Sequence, residues 1–183
     1  MYWHMKYEMY TELLVSSDFL IYEFNSKGPK GSIPKIIEFT HSEYNDIFNL
    51  GFGTKKEDGS FDDLARDNNN DRNKILATVA FALRIFFDHY PDKWVYFTGS
   101  TRERTRLYRM AITHNIEELS VNFEIVGTFT EEHRYNHIPF EKGVNFFGFL
   151  VRRKTPNFKL KYKIILYEPE SENRGTTGEG TNN

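Results

Sequence analysis

Cysteine is absent from this 183-residue sequence. Its absence excludes a disulfide framework, thiolate metal sites and a cysteine nucleophile, and it fits a reducing compartment. Long apolar runs are missing too. No stretch approaches the ~18 consecutive apolar residues of a membrane-spanning helix. The first residues, Met1 to Phe19, lack the basic start, apolar run and small-residue cleavage site of a secretory signal. The expected location is therefore the cytoplasm, with no membrane partner. Charge of one sign is lacking as well: 24 Lys and Arg stand against 26 Asp and Glu, for a formal net charge of -2. Any basic site must then arise from local segregation of charge. Walker, GxGxxG, HExxH and GxSxG patterns do not occur, and no cofactor is expected.

Aromatic side chains are what the sequence has in quantity, with 17 Phe and 11 Tyr. They suit a core built on rings first, and a stacking surface for bases second. The length fits one domain, expected over residues 1–167. Residues 168–183 carry too little apolar content to fold and read as a disordered tail.

The pattern along the chain predicts an α+β fold. Residues 19–25, 33–40 and 46–54 read as three strands joined by tight turns, with turns at 26–31 and, after the third strand, at 55–59, an antiparallel meander. Gly51 and Gly53 in the third strand signal a bulge or close packing against another backbone. Asp71 stands where an N-cap belongs, ahead of a helix over 74–90 that is apolar nearly all round and hence buried. The run Lys93 to Thr98 is a continuous apolar strand, expected in the centre of the sheet. A second helix follows from Thr101, then strands at 121–130, 144–153 and 158–167, with 131–142 as a polar loop. The sum is a mostly antiparallel sheet, made of an N-terminal meander, a central strand and C-terminal strands, with two main helices packed on one face.

The candidate site is the strand–turn–helix from Val95 to Glu118. Gly99 permits a sharp exit from the strand, and Ser100 or Thr101 can cap the helix. A helix start offers free N–H groups and the positive end of the dipole to an anion. This one adds Arg102, Arg104 and Arg106 in its first turns and Arg109 one turn on. Arg102, Arg106 and Arg109 share a face by spacing, while Leu107, Met110, Ala111 and His114 form another stripe, expected toward the sheet. The expected function is a non-enzymatic binding protein for a phosphate-bearing ligand, nucleic acid foremost or a nucleotide, held by Ser100, Thr101, Arg102, Arg104, Arg106 and Arg109. The plainer alternative is that these arginines pair with Glu103, Glu131, Glu132 or the acidic segment at 61–71.

At this point a resemblance enters. Asn25 to Gly31, Gly53 to Leu64, Asn70 to Val79, Gly99 to Tyr108 and Gly143 to Lys154 resemble segments of a family of small uncharacterised proteins from Bacteroidota, over roughly residues 18–154. The resemblance implies a bacterial host and supplies no activity and no catalytic residues.

Three other clusters carry weaker readings. Asp62, Asp63, Asp67 and Asp71 gather with Asn68 to Asn70, and Asp67 to Asp71 begins like a calcium loop, but Arg72 and Thr78 occupy the positions that need Gly and Glu. Carboxylates that hold a divalent ion for phosphoryl chemistry are one reading; a polar loop with a helix cap is the simpler account. His133, Tyr135 and His137 support an alternative, a metal-independent nucleotide- or RNA-processing enzyme with the arginines as anion clamp. That alternative requires the 131–142 loop to fold over the Gly99–Arg109 turn. Arg152, Arg153 and Lys154, with Lys159, Lys161 and Lys163, suggest a basic face that extends a nucleic-acid surface, or charges that protect a sheet edge. A last alternative is a protein-interaction module of a small bacterial regulatory pair, with Tyr2, Trp3, Tyr7 and Tyr10 as its contact.

Overall fold

The computed structural model describes residues 6–65, 67–131, 134–154 and 165–167. In chain order the elements are β1 (Leu14–Ser16), β2 (Ile21–Gly28), β3 (Gly31–His41), β4 (Ile47–Lys55), β5 (Phe61–Asp62), α1 (Arg72–His89), β6 (Trp94–Phe97), α2 (Arg102–Asn122), β7 (Phe123–Glu131), β8 (Arg134–Pro139), β9 (Gly148–Arg153) and β10 (Ile165–Tyr167). All the strands join one sheet in the order β10-β1-β2-β3-β4-β6-β9-β7-β8, and β5 adds to β4 beside that path. Pairing is antiparallel except for β1 with β10 and β4 with β6. The architecture is α+β, as the sequence pattern predicts.

The meander forms because alternation and turn chemistry agree. In β2–β3 the register sets Tyr22 opposite Ile37 and Phe24 opposite Lys35, and the ladder closes at Gly28 and Gly31 around Pro29-Lys30. Gly31 takes φ +88, which a side chain would resist. Gly51 and Gly53 serve close packing: a Cβ at either would press into the Phe61 ring, 2.8 Å away at Gly51. β6 lies between β4 and β9, and its Val95 is fully buried.

Both helices cover the same face. Register places Phe39, Phe48, Val95 and Phe97 on one side of the sheet. Phe86 of α1 stacks on Phe39 with centroids 4.3 Å apart and meets Phe48 edge-on at 5.1 Å. Tyr108 of α2 meets Phe97 edge-on at 6.0 Å. These rings, with Phe87, Phe123, Phe146 and Phe149, make the core, so most of the aromatic content is packing material.

Several expectations are corrected. The segment expected as a loop at 131–142 contains β8, which pairs with β7 over its whole length. The inward stripe of α2 is Thr105 and Ile112, with Tyr108, Ile116 and Leu119 against the core. Leu107 and Met110, expected to face the sheet, are about two-fifths exposed; the helix is rotated so that the one-turn spacing 105–108–112–116–119 meets the sheet. Asp71 occupies the N-cap position of α1 without capping it. Its carboxylate instead accepts from Tyr10 Oη at 2.7 Å and Ser26 Oγ at 2.6 Å. Tyr10, expected on a contact surface, is buried; Tyr2 and Trp3, together with residues 168–183, lie outside the described residues.

Candidate functional site at the start of helix α2

β6 ends at Phe97, and the Thr98 hydroxyl donates to the carbonyl of Phe147. The next residue, Gly99, is needed for proximity. Its backbone does not take positive φ, so the sharp exit expected of it is not a left-handed turn. A Cβ there would overlap the backbone nitrogen of Thr105. The missing side chain lets the first turn of α2 sit against the strand end. The Gly99 N–H then donates to Thr105 Oγ1 at 3.1 Å, and that hydroxyl donates to the Thr101 carbonyl at 3.1 Å. Thr101 is the N-cap: its side chain accepts from the Arg104 N–H at 3.3 Å, which satisfies one free donor of the helix start. Ser100 Oγ donates to the Asp63 carbonyl at 3.3 Å.

The four arginines divide into two pairs. Arg104 donates from Nη2 to the Ala65 carbonyl at 2.8 Å and is half-buried. Arg109 donates to Asn145 Oδ1. Arg102 and Arg106 are exposed, and among the described residues their side chains make no ion pair or hydrogen bond. Glu131 and the acidic segment, offered by the sequence as partners for these arginines, contribute no carboxylate to any of the four among the described residues; the acidic segment contributes only the Ala65 carbonyl. Glu103 is the acid of the first turn, and Glu132 lies outside the described residues; Arg102 and Arg106 stand exposed beside the positive end of the helix dipole.

Behind this start lies a cavity of about 460 Å³ between α1, α2 and the sheet. Its walls are apolar, with Val79 and Leu83 from α1, Ala111 and Ile112 from α2, and Phe52 and Phe97 from the sheet. Ser100, Arg104, Asp63 and Tyr108 also line it. Burial pushes the Tyr108 phenol above its ordinary pKa of 10.0; Arg104 opposes that and Asp63 adds to it. The hydroxyl is thus held protonated, as a donor.

The other sequence candidates are placed elsewhere. Tyr135 and His137 stand on the exposed edge strand β8, opposite Thr130 and Thr128. Register carries these positions to the face that bears Tyr96 and Leu150, away from the helices. The Tyr135 ring touches Phe147 at 5.7 Å, so the two regions meet at the sheet rim from opposite faces. His133, Lys159, Lys161 and Lys163 lie outside the described residues. The acidic segment serves the fold. Asp67 pairs with buried Lys35 and accepts from Thr54 Oγ1 at 2.8 Å, and Asp71 is held as above. Among the described residues no group of His, Asp or Glu is gathered to hold a metal ion. Arg152 pairs with Glu124 and lies over the Trp94 ring at 4.5 Å, Arg153 pairs with Asp88, and Lys154 donates to the Ser120 carbonyl at 2.6 Å. These basic residues sit on or just beyond an interior strand, so edge protection does not explain them. No helix among the described residues is long and apolar enough to cross a membrane.

Sequence reasoning missed the cavity, because it forms between elements that are distant in the chain. The one local signal was Tyr108, an aromatic one turn after Arg104 on the inward side of the helix.

The chain belongs to the family of unknown function DUF6934, whose model matches residues 6–154. No curated protein and no solved structure matches it.

Proposed function

Starting from a family that carries no assigned activity, we propose that this protein is a non-enzymatic binding protein for a phosphate-bearing ligand, nucleic acid foremost, held at the start of α2. The observation that carries the reading is the pair Arg102 and Arg106, exposed and without a side-chain partner among the described residues. They sit where free helix N–H groups and the dipole already favour an anion. Internal pairing would have used these charges; instead Arg104 and Arg109 take the structural roles. A cytoplasmic location and a bacterial host, the latter implied by the resemblance to Bacteroidota proteins, belong to the same proposal.

The test is a titration of labelled single- and double-stranded DNA and RNA by fluorescence anisotropy. Binding should be measurable at low salt and fall steeply as salt rises. Arg102→Glu combined with Arg106→Glu should abolish it with the fold intact. Flat titrations with all four nucleic acids at low salt would sink the reading. The enzymatic alternative gains no geometric support, because Tyr135 and His137 face away from the helices.

A further inference from the structure

We infer that the cavity between α1, α2 and the sheet is a binding site for a small amphiphile, with an apolar acyl or aryl body and one anionic head directed at Arg104. The inference is independent of nucleic-acid binding, which uses Arg102 and Arg106 on the outer side of the same helix.

Size is the first argument. A well-packed core leaves few voids larger than a water molecule, whereas about 460 Å³ falls within the range of sites for small organic ligands. Lining chemistry is the second. Val79, Leu83, Ala111, Ile112, Phe52 and Phe97 offer an apolar chamber. A body that fills it removes apolar surface from water.

The polar end supplies the third argument. Arg104 uses one donor on the Ala65 carbonyl, and a guanidinium has five. Tyr108 lines the same cavity, with the charges of Arg104 and Asp63 acting on it, and its phenol O–H can donate to the same head. Ser100 completes this end. Asp63 also lines the cavity and opposes an anion. A single compact, singly charged head set against Arg104 is therefore favoured over a dianion spread across the end. Arg72 lines the exposed flank and adds positive charge to the approach.

The experiment uses the full chain and three twelve-carbon probes that differ only in the head: dodecanoate, dodecyl phosphate and dodecanol. Isothermal titration should show saturable binding at one site per chain for the two anions, and their relative affinities identify whether the natural head is a carboxylate or a phosphate. Arg104→Met, which keeps the side-chain stem, should weaken the anions by about tenfold or more, the loss of a charge-assisted hydrogen bond, while dodecanol binding is unchanged. Ala111→Phe, which fills the chamber, should abolish all binding while salt-dependent nucleic-acid binding persists. Ala111→Leu serves for the same test if the Phe variant does not fold. Absence of saturable binding by either anion, or binding equally tight in the filled variant, would overturn the inference.

Discussion

The Gly99 N–H points at the Thr105 hydroxyl from 3.1 Å, and that contact fixes where α2 begins relative to the sheet. The close approach exists only because Gly99 has no side chain. Gly99→Ala should therefore cost about 2 kcal/mol, as forced overpacking does, and should loosen the whole helix start. Thr105→Val keeps the shape but strands the Gly99 N–H, at about 1–2 kcal/mol. Urea unfolding of both variants checks this. A Gly99→Ala variant as stable as the parent would mean that the close approach is not required.

A second expectation concerns the buried ion pair. Lys35 is 5% exposed and Asp67 20%. Burial raises the Asp67 pKa, but the hydrogen bonds from Lys35 and then Thr54 outweigh it and hold the carboxyl below its ordinary value of 3.8. A depressed folded pKa contributes stability that is present above about pH 4 and is lost as pH falls through the folded value. Asp67→Asn should lower stability at neutral pH by about 2–4 kcal/mol, since it leaves Lys35 buried without a counter-charge. The gap between parent and variant should narrow below about pH 4. Denaturant midpoints from pH 7 to pH 2.5 measure it, and a constant gap would contradict the pairing.

At the alkaline end the sign reverses. Tyr108, Tyr96, Tyr90 and Tyr10 all have pKa values above the ordinary 10.0, each chiefly through burial. A group whose folded pKa is raised contributes stability that is complete below pH 10 and is lost as pH climbs through the folded value. Stability should fall above pH 10, and Tyr108→Phe should make that fall shallower. Ultraviolet titration of tyrosinate in the folded parent should show fewer phenols ionising near pH 10 than in the unfolded chain.

Asp71 gives a sharper contrast. Loss of an ordinary N-cap costs about 1 kcal/mol. Here the carboxylate instead receives the Tyr10 and Ser26 hydroxyls, so Asp71→Ala removes the acceptor of Ser26 and leaves Tyr10 only its longer contact to the Lys27 carbonyl at 3.3 Å. A loss of about 2–3 kcal/mol is expected, with Tyr10→Phe accounting for about 1 of it. Equal effects of Asp71→Ala and of a simple cap deletion would contradict this role.

The elements that were legible in the sequence share a property: their signals are local. The β2–β3 hairpin follows from alternation interrupted by Gly28-Pro29-Lys30-Gly31, and α1 from an apolar run stopped by Pro91. β8 was missed because Arg134 to Pro139 offers the core only Ile138 and is otherwise largely polar, as an exposed edge strand is, and its pairing with β7 defines it. The face of α2 was misjudged because Leu107 and Met110 look like core residues by type, while Thr105 looks like surface. What buries Thr105 is the close approach at Gly99, six residues earlier, a packing fact that residue type does not show. At the site itself, the helix start and its Thr101 cap were readable. The division of the arginines was not, because Ala65 and Asn145, the partners of Arg104 and Arg109, lie 39 and 36 residues away.

The central claim is that Arg102 and Arg106 are free to take phosphates. The slope of log binding constant against log salt concentration, measured with a single-stranded oligonucleotide, reads this directly, because each phosphate neutralised on a single strand contributes about 0.7 to it. The Arg102→Ala, Arg106→Ala double variant should bind more weakly and show a slope smaller in magnitude by about 1.4, two contacts' worth. An unchanged slope, or no binding by the parent protein at low salt, would contradict the account.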